Sequence, residues 1–210
     1  ARQSARLEEL RQCCTAIGFG MEVIDDCGLE RVQLNYRRED PAHWIHAVDA
    51  VALALQRLQP RVFFYPHASD ANRTHIGVHG LVNHAMVRLG TRFHAWAVET
   101  EFWSPMDRPN LLVESAPDDL GDLLQALSFH VGEIQRNPYH LRLPAWMMDN
   151  VRRGAEIVGG QGREAPDFLF GTLYRRRIWN GKKFRTADPD SPFLSAADDP
   201  ASLFPEIASV

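Results

Sequence analysis

The run Val62-Phe63-Phe64-Tyr65, cut off by Pro66 and followed by the polar stretch His67 to Thr74, constrains this chain more than any other feature. Upstream, Asp40-Pro41 reads as an N-cap with proline in the first helical position. Trp44, Val48, Val51, Leu55 and Leu58 then recur at helical spacing up to Pro60. Downstream, Ile76, Leu81, Met86 and Leu89 mark another helix, with His75 at its opening. An amphipathic helix, a short apolar strand, a polar loop and a second helix, in that order, predict an α/β domain on a parallel sheet with right-handed crossovers. Such sheets bind ligands outside the carboxyl ends of their strands, so the loop after Tyr65 is the expected site.

The rest of the chain extends this pattern. Leu7, Leu10, Cys14 and Ile17 predict a first helix capped by Gly18, with a short strand at Met21 to Ile24. Phe93 to Phe102 and Leu111 to Glu114 are expected as strands, the second pair of runs being joined through Pro105 to Pro109. Helices are expected at Asp118 to Gln135 and Pro144 to Val158, broken at Asn137-Pro138. Gly159-Gly160-Gln161-Gly162 lacks the strand and helix context of a dinucleotide site and reads as a loop. After Phe184 the composition shifts to Asp, Pro, Ser and Ala. The expected division is therefore a domain over 1–184 and an extended C-terminal tail over 185–210, lying on the surface or against a partner.

Composition bounds the function. With 210 residues and 45% hydrophobic content the chain is long enough for one well-buried core. No apolar run approaches the ~20 residues that cross a bilayer. The net charge of −4 and the short clusters Arg175-Arg176-Arg177 and Lys182-Lys183 argue against nucleic acid as a partner. Cys13 and Cys14 are adjacent and the 3 cysteines lack zinc or disulfide spacing, so a reducing cytoplasm is the simplest setting. The oligomeric state is left open, a homo-oligomer included.

The histidines carry the chemistry. His75 is a candidate metal ligand, a neutral imidazole whose other nitrogen a loop carboxylate would orient; the alternative is a capping or packing role. Asp70 is either that orienting carboxylate or the residue that shapes the loop through an Asx turn. His75 and His79 share a helical face at i, i+4, but the Glu of a His-Glu-x-x-His motif is absent, so His79 is read as a supporting or packing residue and His84 as a core residue. His67 either lines the pocket or faces water. Trp44, Trp96, Trp103 and Trp146 are expected in the core, with Trp103 alternatively edging a sugar or acyl pocket.

The spacing Asp70-x-Asn72-x-x-His75 resembles the second conserved motif of the PIG-L/LmbE family of zinc-dependent de-N-acetylases, with Asn72 in the first histidine position and His75 in the last. The Arg- and Glu-containing helix from Ala1 to Gly18 is similar to a segment of that family, as are Glu101 to Pro105 with Arg108 to Val113. Gln125 to His130 is similar to a family helix, although Gly132 and Glu133 stand where Ser and Gln are usual. Arg163 to Phe168 is loosely similar to the family's closing segment.

The resemblance implies a Rossmann-like, mostly parallel sheet flanked by helices. It also implies hydrolysis of an N-acetyl or N-acyl group from an amino sugar or its conjugate, with zinc as cofactor. It makes His75 a metal ligand, Asp70 and Asn72 loop partners in catalysis, and His130 a second pocket histidine. An amide at Asn72 would donate to an oxyanion but has no proton to give as a general acid. The family's first motif, His-Pro-Asp-Asp-Glu, does not occur; Asp25-Asp26 has no histidine before it and is rejected. The expectation is that a first βα unit of about 30 residues is missing upstream, and with it the other metal ligands and the catalytic base, so that the chain as given would not deacetylate. The rival expectation is a non-catalytic binding or scaffold domain on the same fold.

Overall fold

The computed structural model describes residues 2–25 and 28–207. Asp26 of the rejected acidic pair, Ala1 and the last residues of the tail, 208–210, lie outside them. The helices are α1 (Arg2–Ala16), α2 (Tyr36–Glu39), α3 (Pro41–Leu58), α4 (Arg73–Leu89), α5 (Pro117–Ser128), α6 (Val131–Arg136) and α7 (Tyr139–Gly159). The strands are β1 (Val62–Pro66), β2 (Ala95–Thr100), β3 (Leu111–Ser115), β4 (Phe170–Trp179), β5 (Phe184–Thr186) and β6 (Phe193–Leu194). Among the described residues no helix is long and apolar enough to cross a membrane.

The strands form one 6-stranded sheet in the order β1-β2-β4-β3-β6, with β5 alongside β4. It is mixed, not mostly parallel. β1 runs parallel to β2 and β3 to β6, but β4 enters between β2 and β3 antiparallel to both. The reason lies in β4, whose residues show in the sequence as a basic cluster. Its inward positions Leu173, Arg175, Arg177 and Trp179 alternate with Tyr174, Arg176 and Ile178, a period of two in which arginines occupy both faces. The run 101–110 consequently does not join two neighbouring strands; β2 ends at Thr100, and β4 separates it from β3.

The alternation assigns the two faces of the sheet. Trp179 packs with Phe93 and Ala95 against Ala52 of α3 and with Ala85, Met86 and Leu89 of α4. Leu173, on the same side of β4, and its register partner Leu112 lie against Gly154 of α7. Helices α3, α4 and α7 thus cover one face. The other is covered by the C-terminal segment, where Leu194, Leu203 and Phe204 pack on Leu111, Val113 and Tyr174, and Trp96 Nε1 donates to the Pro205 carbonyl at 2.9 Å. The tail expected on the surface or against a partner is therefore, over its described part, the second layer over this sheet, contributing β5 and β6 to the sheet itself.

Other expectations are corrected locally. Met21 to Ile24 forms no strand: the chain leaves α1 through Gly18 at φ 74°, and Gly28 N closes a turn on the Ile24 carbonyl at 2.8 Å. The single helix expected over Asp118 to Gln135 is two, broken at Phe129 and His130. Trp44 and Trp96 are buried, whereas Trp103 and Trp146 are partly exposed. His84 accepts a hydrogen bond at Nδ1 from Trp44 Nε1 at 3.0 Å, which fixes α4 to α3.

Candidate functional site

Parallel pairing of β1 and β2 brings their carboxyl ends, Pro66 and Thr100, to one edge of the sheet. The loop 67–72 after β1 and the loop 101–110 after β2 therefore meet there. They are stitched together: His67 Nε2 lies 3.0 Å from the Ser104 carbonyl, Ser104 Oγ donates to the Ser69 carbonyl at 2.9 Å, and Ser69 Oγ donates to Asp107 at 2.6 Å.

Asp70 is the centre of this junction. Its buried carboxylate accepts from Asn72 N at 2.7 Å and, across the two loops, from Trp103 N at 3.1 Å. His75 Nδ1 stands 3.3 Å from Asp70 Oδ1, outside hydrogen-bond alignment, and His67 Nε2 stands 3.7 Å from Oδ2. The structure therefore gives Asp70 the Asx turn and sets its carboxylate near His75 without a hydrogen bond between them. Asn72 is the N-cap of α4, its Oδ1 accepting from Thr74 N at 2.8 Å, so the helix opens at Arg73 and His75 lies within its first turn. With the oxygen committed, the Asn72 NH2 group is the end left to meet a ligand.

Two further histidines were not chosen from the sequence. His67 is almost fully buried; because a carbonyl only accepts, its Nε2 donates to Ser104, and its buried Nδ1 has no hydrogen-bond partner among the described residues. His79, one turn after His75, donates from Nδ1 to the Pro66 carbonyl at 3.0 Å and stacks on Tyr65 at 5.3 Å. Burial lowers its pKa, outweighing the carbonyl and the nearby Glu99 carboxylate, so the ring is neutral at neutral pH and Nε2 is its lone-pair nitrogen. The signal for His79 was the i, i+4 spacing itself. For His67, no pattern distinguished a buried loop histidine from an exposed one.

Below these loops, on the helix-covered face of the sheet, β2 and β4 carry a polar cluster set by their register. Glu99 is buried, accepts from Tyr65 OH at 3.2 Å and from Arg177 Nη1 at 2.8 Å, and lies 3.6 Å from Arg175 Nη1. Burial, with the Glu99 charge beside it, raises the Tyr65 hydroxyl far above its ordinary range, so it remains a donor. Glu101 pairs with Arg153 of α7 and accepts from Met106 N at 2.6 Å. The Trp103 ring lies against Tyr139 with its indole about half exposed, and Phe102 lies 4.9 Å from the His75 ring.

His130 occupies the turn between α5 and α6, where Gly132 N donates to Glu9 of α1, and among the described residues no hydrogen bond or ion pair joins its side chain to Asp70, Asn72 or His75. Nor, among the described residues, do three or more His, Cys, Asp or Glu side chains converge where a metal ion would sit. His75 with Asp70 has the chemistry of one ligand and its orienting carboxylate, but an open zinc site takes three protein ligands. The described residues do not fit zinc by themselves.

No protein-family model and no curated protein sequence matches the chain. Solved structures share its fold. The conserved protein TT1542 from Thermus thermophilus is 16% identical, with a TM-score of 0.53 over 81% of this chain and 72% of its own. GalB, the 4-carboxy-2-hydroxymuconate hydratase from Pseudomonas putida, is 16% identical, with a TM-score of 0.59 over 82% of this chain and 71% of its own.

Proposed function

We propose that the junction of loops 67–72 and 101–110 is the active site of an amide hydrolase that removes an N-acetyl or N-acyl group from an amino sugar or its conjugate, in the manner of the PIG-L/LmbE enzymes its loop resembles. The observation that carries this reading is the Asp70 carboxylate set 3.3 Å from His75 Nδ1 at the carboxyl edge of a parallel strand pair.

In this reading Asp70 orients the imidazole and stabilises its charged form, so that His75 Nε2 takes a proton from the attacking water and returns it to the leaving amine. Catalytic hydrogen bonds are often poorly aligned before substrate binds, and a small ring rotation aligns Nδ1 with Oδ1. The Asn72 NH2 group donates to the oxyanion that develops on the carbonyl. The zinc that the resemblance implies would need ligands beyond His75, and no step is routed through it here.

A second reading has its own support: the missing three-ligand set among the described residues favours a domain that binds such a compound without turning it over. Amine release from N-acetylglucosamine conjugates, measured with zinc, with chelator and with His75→Ala, separates the two. Release that His75→Ala lowers by at least ~10²-fold supports the hydrolase. Saturable binding without release supports the binding domain, and neither release nor binding sinks both. GalB is a hydratase, so loss of absorbance from an unsaturated carboxylic acid is a worthwhile parallel arm.

A further inference from the structure

Among the described residues the polar cluster on β2 and β4 holds more positive charge than it cancels. Arg175 and Arg177 project from β4 on the helix-covered face, beside Glu99 and Ala97 in register. Between them they have one carboxylate, Glu99, which Arg177 holds at 2.8 Å and Arg175 approaches at 3.6 Å. The other acid nearby, Glu101, is taken by Arg153. His79 is neutral, its pKa lowered by burial, and the Tyr65 hydroxyl is a donor. Among the described residues the other contacts of the two guanidinium groups are the Tyr65 hydroxyl, beside Arg177, the Phe184 ring, 4.9 Å from Arg177, and Thr186 Oγ1, 3.4 Å from Arg175. None of these contacts carries a negative charge. The buried Nε atoms of both arginines find no acceptor among the described residues.

An unmatched guanidinium taken from water is costly unless an anion meets it. Both groups nevertheless keep an accessible edge, 23% for Arg175 and 18% for Arg177, and the Glu99 carboxylate they share lies 3.8 Å from Nδ1 of His79, which is one helical turn after His75. We infer that Arg175 and Arg177 form a carboxylate-binding subsite, and that the small molecule meeting His75 carries a carboxylate. The planar fork of an arginine matches the two oxygens of a carboxylate. The charge count also selects the ligand: two cations and Glu99 leave one positive charge, which a carboxylate neutralises and a phosphate dianion over-compensates. The inference rests on the loop junction being the substrate site, whichever of the two readings above holds.

The test measures binding, so it stands apart from turnover. Acetate, its neutral isostere acetamide and inorganic phosphate are titrated into the full chain while the arginine Nε–H signals are followed by NMR. Acetate should saturate the Arg175 and Arg177 signals while acetamide leaves them in place. Arg175→Gln, which spares the shorter Arg177–Glu99 contact, should weaken acetate at least tenfold. Arg175→Lys should restore part of that affinity, and Glu99→Gln, which removes the internal competitor, should tighten it. Equal acetate affinity in wild type and Arg175→Gln overturns the proposal, as does equal binding of acetamide, or phosphate binding more tightly than acetate. Should Glu99→Gln fail to fold, the Arg175 pair of variants decides the matter alone.

Discussion

The backbone N–H of Trp103 donates to Asp70 Oδ2 at 3.1 Å, so one carboxylate closes its own Asx turn and clamps the next crossover loop. This makes Asp70 structural before it is chemical. Asp70→Asn keeps the shape but replaces one acceptor oxygen by an NH2 group facing a backbone donor. A buried donor left unsatisfied costs about 1–3 kcal/mol, so the urea midpoint should fall accordingly. Amine release, if His75 depends on the Asp70 charge, should fall further than the stability change explains. An unchanged midpoint would mean that the two loops are held by the serine contacts instead.

Asn72 has two separable parts. Its oxygen caps α4, and its NH2 group is the oxyanion donor of the proposed reaction. Asn72→Ala should lose the cap, about 1 kcal/mol, and also slow turnover by roughly 10²-fold. Asn72→Ser retains a capping oxygen, so stability should recover while turnover remains low. Recovery of both would assign Asn72 to the cap alone.

Stability should depend on pH through His79. Burial lowers the pKa of His79 from its ordinary 6.5, and burial together with Arg37 lowers that of His84. Between the folded and unfolded values the unfolded chain binds more protons than the native one, so stability is fully present above about pH 6.5 and is lost as pH falls toward the depressed folded values. Urea midpoints should be level near pH 7.5 and decline by about pH 5.5. His79→Gln, which keeps a donor for the Pro66 carbonyl, should flatten that decline. A wild-type midpoint that does not move over this range would show that the neutral ring is not required.

The part of the fold legible in the sequence is the part built from local signals. Asp40-Pro41, the stripe from Trp44 to Leu58, the run Val62 to Tyr65 and the turn residues after it each announce their own geometry, and α3, β1 and α4 follow. What was not legible is the partner of each strand. Nothing local says that β4 passes between β2 and β3, because three consecutive arginines hide a strand whose helix-covered face has large apolar side chains only at Leu173 and Trp179. The site divides in the same way. Asp70, Asn72 and His75 share a loop with recognisable turn chemistry, but Glu99, Arg175 and Arg177 meet only through strand register. His130 enters only through the family resemblance of Gln125 to His130, and the helix that carries this stretch ends at Ser128.

Two glycines give opposite predictions from the same substitution. In α4, a Cβ on Gly77 would lie 1.6 Å from the Val32 carbonyl oxygen and 2.9 Å from Gln33 Cα, so the helix rests directly on the backbone that leads into α2. Alanine there gains the ~1 kcal/mol of helix propensity but must push α4 off that segment, at an overpacking cost of about 1–3 kcal/mol or more. Backbone cannot swing aside as a side-chain tip does, so Gly77→Ala should be net destabilising. It should also disturb the Gln33 to Thr74 hydrogen bond, 3.1 Å long, at the start of the helix that carries His75. In α5, Gly121 is exposed and has nothing within 4 Å of its would-be Cβ, so Gly121→Ala collects only the propensity gain and should raise stability by up to ~1 kcal/mol. Thermal unfolding of the two variants beside wild type checks both signs at once. A Gly77→Ala protein as stable as Gly121→Ala would mean that α4 does not sit on residues 32–33, and that the position of His75 over Asp70 is set by the loop alone.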